Sequence, residues 1–143
     1  MYSKQEVAAI NQAFWLTFGR YMAPVPSASG DRVNWINYKT GVKGIRFTMS
    51  VNNKEALAQI FISGDEENRL KIRKIFDLLK EELNGFEIPE AVDSMGSYLE
   101  SRLVKVSIFN KEDWPEIISF LKSRIIKFDQ FWTENKLIFD SSI

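Results

Sequence analysis

The residues best suited to chemistry in this chain lie in one short run, Asn34-Trp35-Ile36-Asn37-Tyr38-Lys39-Thr40-Gly41. It holds two aromatic rings, two side-chain amides, a cation and a glycine, and no helical or strand period accounts for them. Trp35 and Tyr38 could stack on a planar ligand while Lys39 and the amides meet its polar edge. The same residues also suit a packed turn. In that reading the two rings close the core, Asn37 caps the turn and Gly41 supplies a positive φ. The candidate ligand-binding set is Arg20, Trp35, Asn37, Tyr38, Lys39 and Arg46.

A second constellation is Glu100-Ser101-Arg102, with Asp93 upstream. Metal-dependent nucleases hold Mg²⁺ with an Asp and a Glu and place a lysine two residues after the Glu. Here an arginine stands at that place, and a guanidinium does not readily give up a proton. The plainer reading is a solvated strand edge. The basic residues Arg69, Lys71, Arg73, Lys74 and Lys80 interleave with Asp77, Glu81 and Glu82. Spacings such as Arg73 with Asp77 predict a salt-bridged helix face.

The chain has no cysteine and no histidine. That excludes disulfides, thiolate metal sites, cysteine nucleophiles and imidazole chemistry near neutral pH. Any catalysis would rest on Asp, Glu, Lys, Tyr, Ser or Thr. No phosphate-binding P-loop, dinucleotide fingerprint or nucleophile elbow is present. The expectation is a non-catalytic protein with no cofactor and no metal.

Charge is balanced but uneven. Residues 1–62 carry seven basic and three acidic side chains, net +4, while residues 63–100 carry five and ten, net −5. Residues 101–143 carry seven and six, net +1. The total of zero gives no general nucleic-acid signature, though the first segment can form a local positive surface. The start of the chain lacks the apolar run of a secretory signal, and no apolar stretch approaches the roughly 20 residues of a membrane helix. A soluble, cytoplasmic protein is expected.

The elements that would position these residues follow from pattern. Ser3 with Glu6 is a capping box opening a helix whose stripe runs Val7, Ile10, Phe14 and Phe18. Pro24, Pro26 and Gly30 make residues 23–32 a loop. Residues 43–51 alternate as a half-buried strand, Asn52-Asn53 turns, and residues 56–62 return as a second strand of a hairpin. Ser63 with Glu66 predicts the cap of a second helix running to about Asn84, with Gly85 ending it. A strand is predicted at 100–108. Asn110 to Asp113 caps a last helix with its stripe at Trp114, Ile117, Ile118, Leu121, Ile125, Phe128 and Trp132, and Leu137, Ile138 and Phe139 form a tail able to dock back. With 45% hydrophobic and 27% charged residues in 143, one domain spanning 1–143 can bury its own core. The fold class expected is α+β: an antiparallel sheet of three to four strands with three main helices, in the order α-β-β-α-β-α.

Four blocks together carry a resemblance: Phe14-Trp15-Leu16-Thr17-Phe18-Gly19-Arg20-Tyr21-Met22, the Asn34–Gly41 run, Gly44-Ile45-Arg46-Phe47, and Phe109 through Trp114-Pro115. Across nearly its whole length the chain resembles the bacterial family catalogued as domain of unknown function 4268. The resemblance assigns no catalytic residue. It implies a context: similar domains occur alone or at the C-terminal end of longer proteins whose other half looks nuclease-like. The functional expectation is therefore a binding or interaction module for an unknown protein or small-molecule partner. The alternative is a nucleic-acid-associated accessory domain related to nuclease or restriction systems, with Arg20, Arg32, Lys39, Lys43 and Arg46 as its positive face.

Overall fold

The computed structural model describes residues 2–89 and 97–142. Helix α1 spans Lys4–Met22 and opens with the expected capping box: Ser3 Oγ accepts from Glu6 N and Glu6 Oε1 accepts from Ser3 N, both at 3.1 Å. Phe14, Phe18 and Met22, spaced by four, are completely buried. Strands β1 (Ile45–Val51) and β2 (Glu55–Ile62) form the antiparallel hairpin. Asn52 Oδ1 accepts from Lys54 N and Glu55 N and so shapes its turn. The period of two sends Ala56, Ala58, Ile60 and Ile62 into the core, and leaves Arg46, Ser50 and Arg102 exposed on the other face of the sheet.

Strand β3 (Ser97–Val104) pairs antiparallel with β2, giving among the described residues a three-stranded sheet in the order β1-β2-β3. It starts and stops earlier than the predicted 100–108. Lys105 takes a positive φ of 62° and ends the strand. Val106 and Ile108 then fold over the hairpin turn, their N–H groups donating to Lys54 O and Asn52 O. Their burial is real, but it comes from packing under a turn and not from an extended strand.

Helix α2 (Glu66–Leu79) is capped by Asp65, whose carboxylate accepts from Asn68 N at 2.8 Å, and not by Ser63. The hairpin ladder claims Ser63 first, since its N–H donates to Gly44 O, and Gly64 (φ 117°) then turns the chain. A 3₁₀ turn at Lys80–Leu83 follows, and Gly85 breaks the direction at φ 96°. The expected Arg73–Asp77 pair does not form. Asp77 accepts from the Tyr98 hydroxyl and Arg73 lies over the Tyr98 ring, while the ion pair found on α2 among the described residues is the exposed Lys71–Glu67.

Asn110 caps a short 3₁₀ turn, Lys111–Asp113, that leads into α3 (Trp114–Ser142). Every residue of the predicted α3 stripe is buried. The supposed tail is the last part of this helix. Its period buries Phe139 fully while leaving Leu137 and Ile138 at 81% and 44% exposed, so Phe139 is the one of the three that enters the core. Helix α3 crosses β2 and β3, α2 packs against β2 and α3, and α1 packs against α3. The core rings Phe76, Phe128, Phe131, Trp132 and Phe139 meet in stacked and tilted pairs. The architecture is the α+β arrangement that the pattern predicts.

Candidate functional site

The Asn34–Gly41 run is built as a turn clamped onto α3. Asn34, and not Asn37, caps it: Asn34 Oδ1 accepts from Ile36 N and Asn37 N at 3.1 and 3.0 Å. Trp35 and Tyr38 point inward and are 8% and 7% exposed, with the Tyr38 ring edge-on to Phe128. Thr40 is buried. Its hydroxyl oxygen lies 2.8 Å from the Ile45 carbonyl and accepts from Val42 N, while its own carbonyl accepts from Trp132 Nε1 at 2.8 Å. Gly41 leaves the turn at φ 76°.

Beneath this turn sits Asp129, a carboxylate 2% exposed on the buried side of α3. It accepts from Tyr38 Oη at 2.7 Å, from Ala28 N at 2.8 Å and from Ser27 Oγ at 3.1 and 3.2 Å. One helix residue thereby ties together both ends of the Ser27–Tyr38 stretch. Burial, and then the hydrogen bond and charge of Asp129, hold the Tyr38 phenol far above the ordinary tyrosine range. Tyr38 is therefore a neutral donor at physiological pH and offers no acid–base chemistry there. Sequence reasoning passed over Asp129 and Ser27, and it read Trp132 as a core residue without its bond to Thr40. The signal for Asp129 was an acid with Ile125 four residues before it and Trp132 three residues after it, on the apolar stripe of the helix, since buried carboxylates need partners.

The clamped turn closes one side of a cleft of about 480 Å³ between the end of α1 and the loop that follows. Met22, Val25, Val33, Trp35 and Ile36 give it apolar walls, and Ser27, Asp31, Arg32 and Asn34 give it a polar lip. Gly19 lies under Ile36, where a Cβ would come within 3.3 Å of Ile36 Cδ1. Of the six candidate residues, only Trp35 lines this cleft. Tyr38 lies inside with Asp129. Arg20, Asn37 and Lys39 are exposed, on the last turn of α1 and on the turn itself. Arg46 stands apart, on the face of the sheet opposite Phe47, with its guanidinium 5.0 Å from the centre of the Phe61 ring.

The second constellation is not assembled as a metal site. Arg102 bonds Glu55 at 2.5 Å and Glu100 at 3.3 Å, so both carboxylates are spent on the guanidinium. Asp93 lies outside the described residues. Among the described residues no group of three or more acidic side chains is placed to hold a metal ion.

The blocks that carry the resemblance are thus the turn, the end of α1, the start of β1 and the entry to α3. A family model described as a domain of unknown function, DUF4268, matches residues 10–136. The chain belongs to the DUF4268 family. The matched span of this DUF4268 domain includes the cleft, the clamped turn, Asp129 and the whole sheet, and leaves out the Ser3 cap and Phe139. Searches of curated proteins and of solved structures returned no match. Among the described residues, no helix is long and apolar enough to cross a membrane.

Proposed function

We propose that this DUF4268 domain is a non-catalytic binding module whose ligand sits in the cleft between α1 and residues 23–36. The observation that supports this reading is the preformed cleft itself. Its volume of about 480 Å³ lies in the range of small-molecule sites, and it joins apolar walls to a few polar groups. The Asp129 bonds hold the turn in place before any ligand arrives, which lowers the ordering cost of binding. The ligand class that fits is a small, flat, mainly apolar group with a polar edge, free or carried on a partner protein. Ala23→Trp tests this without touching the core, because Ala23 is exposed and lines the cleft. Fragments should shift the amide resonances of residues 19–36 in the parent chain and lose that effect in the variant. A fragment library that leaves those resonances unmoved would defeat the proposal.

A second reading, a nucleic-acid-associated accessory domain, draws support from one observation. Arg20, Arg32, Lys39, Lys43 and Arg46 are all exposed, and among the described residues none is in an ion pair. Charge-driven binding would weaken by orders of magnitude between roughly 50 and 200 mM salt. Fluorescence anisotropy with labelled DNA and RNA reads that directly.

A further inference from the structure

The turn Lys39-Thr40-Gly41-Val42-Lys43-Gly44 meets a third lysine that the sequence places far away. Lys136 of α3 reaches this turn: a Cβ built on Gly41 would lie 2.9 Å from Lys136 Nζ and 3.4 Å from its Cε. The Lys136 ammonium thus rests against the Gly41 backbone, whose positive φ of 76° is what calls for glycine there. Lys39 and Lys43 flank Gly41 by two residues on either side, and both are exposed. Among the described residues none of the three lysines forms an ion pair. Glu82 of the 3₁₀ turn is held by Asn135 Nδ2 at 3.2 Å, and Glu134 and Asp140 of α3 form no ion pair among the described residues.

The backbone adds donors of its own. The N–H groups of Gly41, Lys43 and Gly44 have no hydrogen-bond partner among the described residues. Both glycines take positive φ, at 76° and 95°, and the turn is pinned from below by Thr40 and Trp132. Free N–H groups in a glycine-bearing turn with several ammonium groups are the donor set that recognises phosphate oxygens. We propose that this turn, with Lys39, Lys43 and Lys136, is a binding site for a phosphate group. The site is separate from the cleft and does not depend on it. It rests on the second reading above and deepens it by naming the chemistry recognised, and it narrows the five-residue face to the two lysines of the turn together with Lys136.

The test uses the 143-residue chain at low salt, titrated in parallel with sodium pyrophosphate and with a labelled oligothymidylate. Amide resonances of Gly41, Lys43 and Gly44 should move with at least one of the two. The triple variant Lys39→Gln, Lys43→Gln, Lys136→Gln should lose that response, whereas Lys71→Gln with Lys74→Gln on α2 should keep it. Where the oligonucleotide binds, each lysine removed should lower the salt slope by roughly 0.7. Response to both probes, or to the oligonucleotide alone, identifies a phosphodiester backbone; response to pyrophosphate alone identifies a small phosphate ligand. Silence with both probes overturns the proposal, as does undiminished binding by the triple variant. Lys43→Gln alone, at an exposed position, carries the same test should the triple variant not fold. Loss of the whole nucleic-acid reading is distinguishable, because an oligonucleotide that binds while leaving these three amides unmoved keeps that reading and removes this site.

Discussion

Asp129→Ala probes the joint that holds the cleft and the turn together. Asp129 accepts from a buried donor, Tyr38 Oη, and from two nearer the surface, Ser27 Oγ and Ala28 N. Ser27 and Ala28 can turn to water, so their loss costs little. Tyr38, at 7% exposure, cannot, and an unsatisfied buried hydroxyl costs about 1–3 kcal/mol. With the cavity left by the shorter side chain and the smaller losses at Ser27 and Ala28, the variant should be destabilised by about 2–3 kcal/mol. For a chain near 150 residues this lowers Tm by roughly 5–10 °C. The decisive comparison is the double variant with Tyr38→Phe, which removes the stranded hydroxyl. If the reasoning holds, urea unfolding followed by circular dichroism gives a double variant better than the sum of the singles by about 1–2 kcal/mol. Costs that simply add, within about 0.5 kcal/mol, would refute the claim that Asp129 acts through Tyr38.

Two further predictions concern stability. Tyr38 and Tyr98 are both held above the ordinary tyrosine value of 10.0, first by burial and then by the hydrogen bonds to Asp129 and Asp77. The folded chain keeps these protons while the unfolded chain releases them. The contribution of both residues is therefore fully present below pH 10 and is lost as pH rises above it; denaturation followed across that range should flatten in Tyr38→Phe and Tyr98→Phe. At the end of α3, Phe139→Ala should cost about 3–5 kcal/mol and Leu137→Ala less than about 0.5 kcal/mol, measured by chemical unfolding; equal costs would mean that the helix face is wrongly assigned.

The elements were legible where one local rule acted alone. The α1 capping box needs only Ser3 and Glu6, and the α3 stripe needs only its period, so both appear as read. The misreadings fall where a local signal met a competing claim on the same residue, in two cases from a different element. Ser63 matches a cap, but its N–H already belongs to the hairpin through Gly44. Val106 and Ile108 continue an alternation, yet Lys105 has turned the chain before they are reached. Arg73 and Asp77 have the spacing of a pair, and Tyr98 from another element takes them both. The candidate site was legible in part for the same reason. The unusual composition of 34–41 marked the turn, but composition does not say which rings face inward.

The sequence by itself determined the kinds of chemistry open to this protein and the identity of its elements. Without cysteine or histidine, sulfur and imidazole mechanisms are closed whatever the fold, and hydrophobic periods of 2 and 3.6 are properties of the chain alone. Only the tertiary structure decided which polar residues meet. Tyr38 finds Asp129 across 91 positions and Trp132 finds Thr40 across 92, while Lys136 comes to rest beside Gly41. Such contacts depend on how α3 crosses the sheet, and packing of whole faces sets that crossing, which no local spacing in the sequence records.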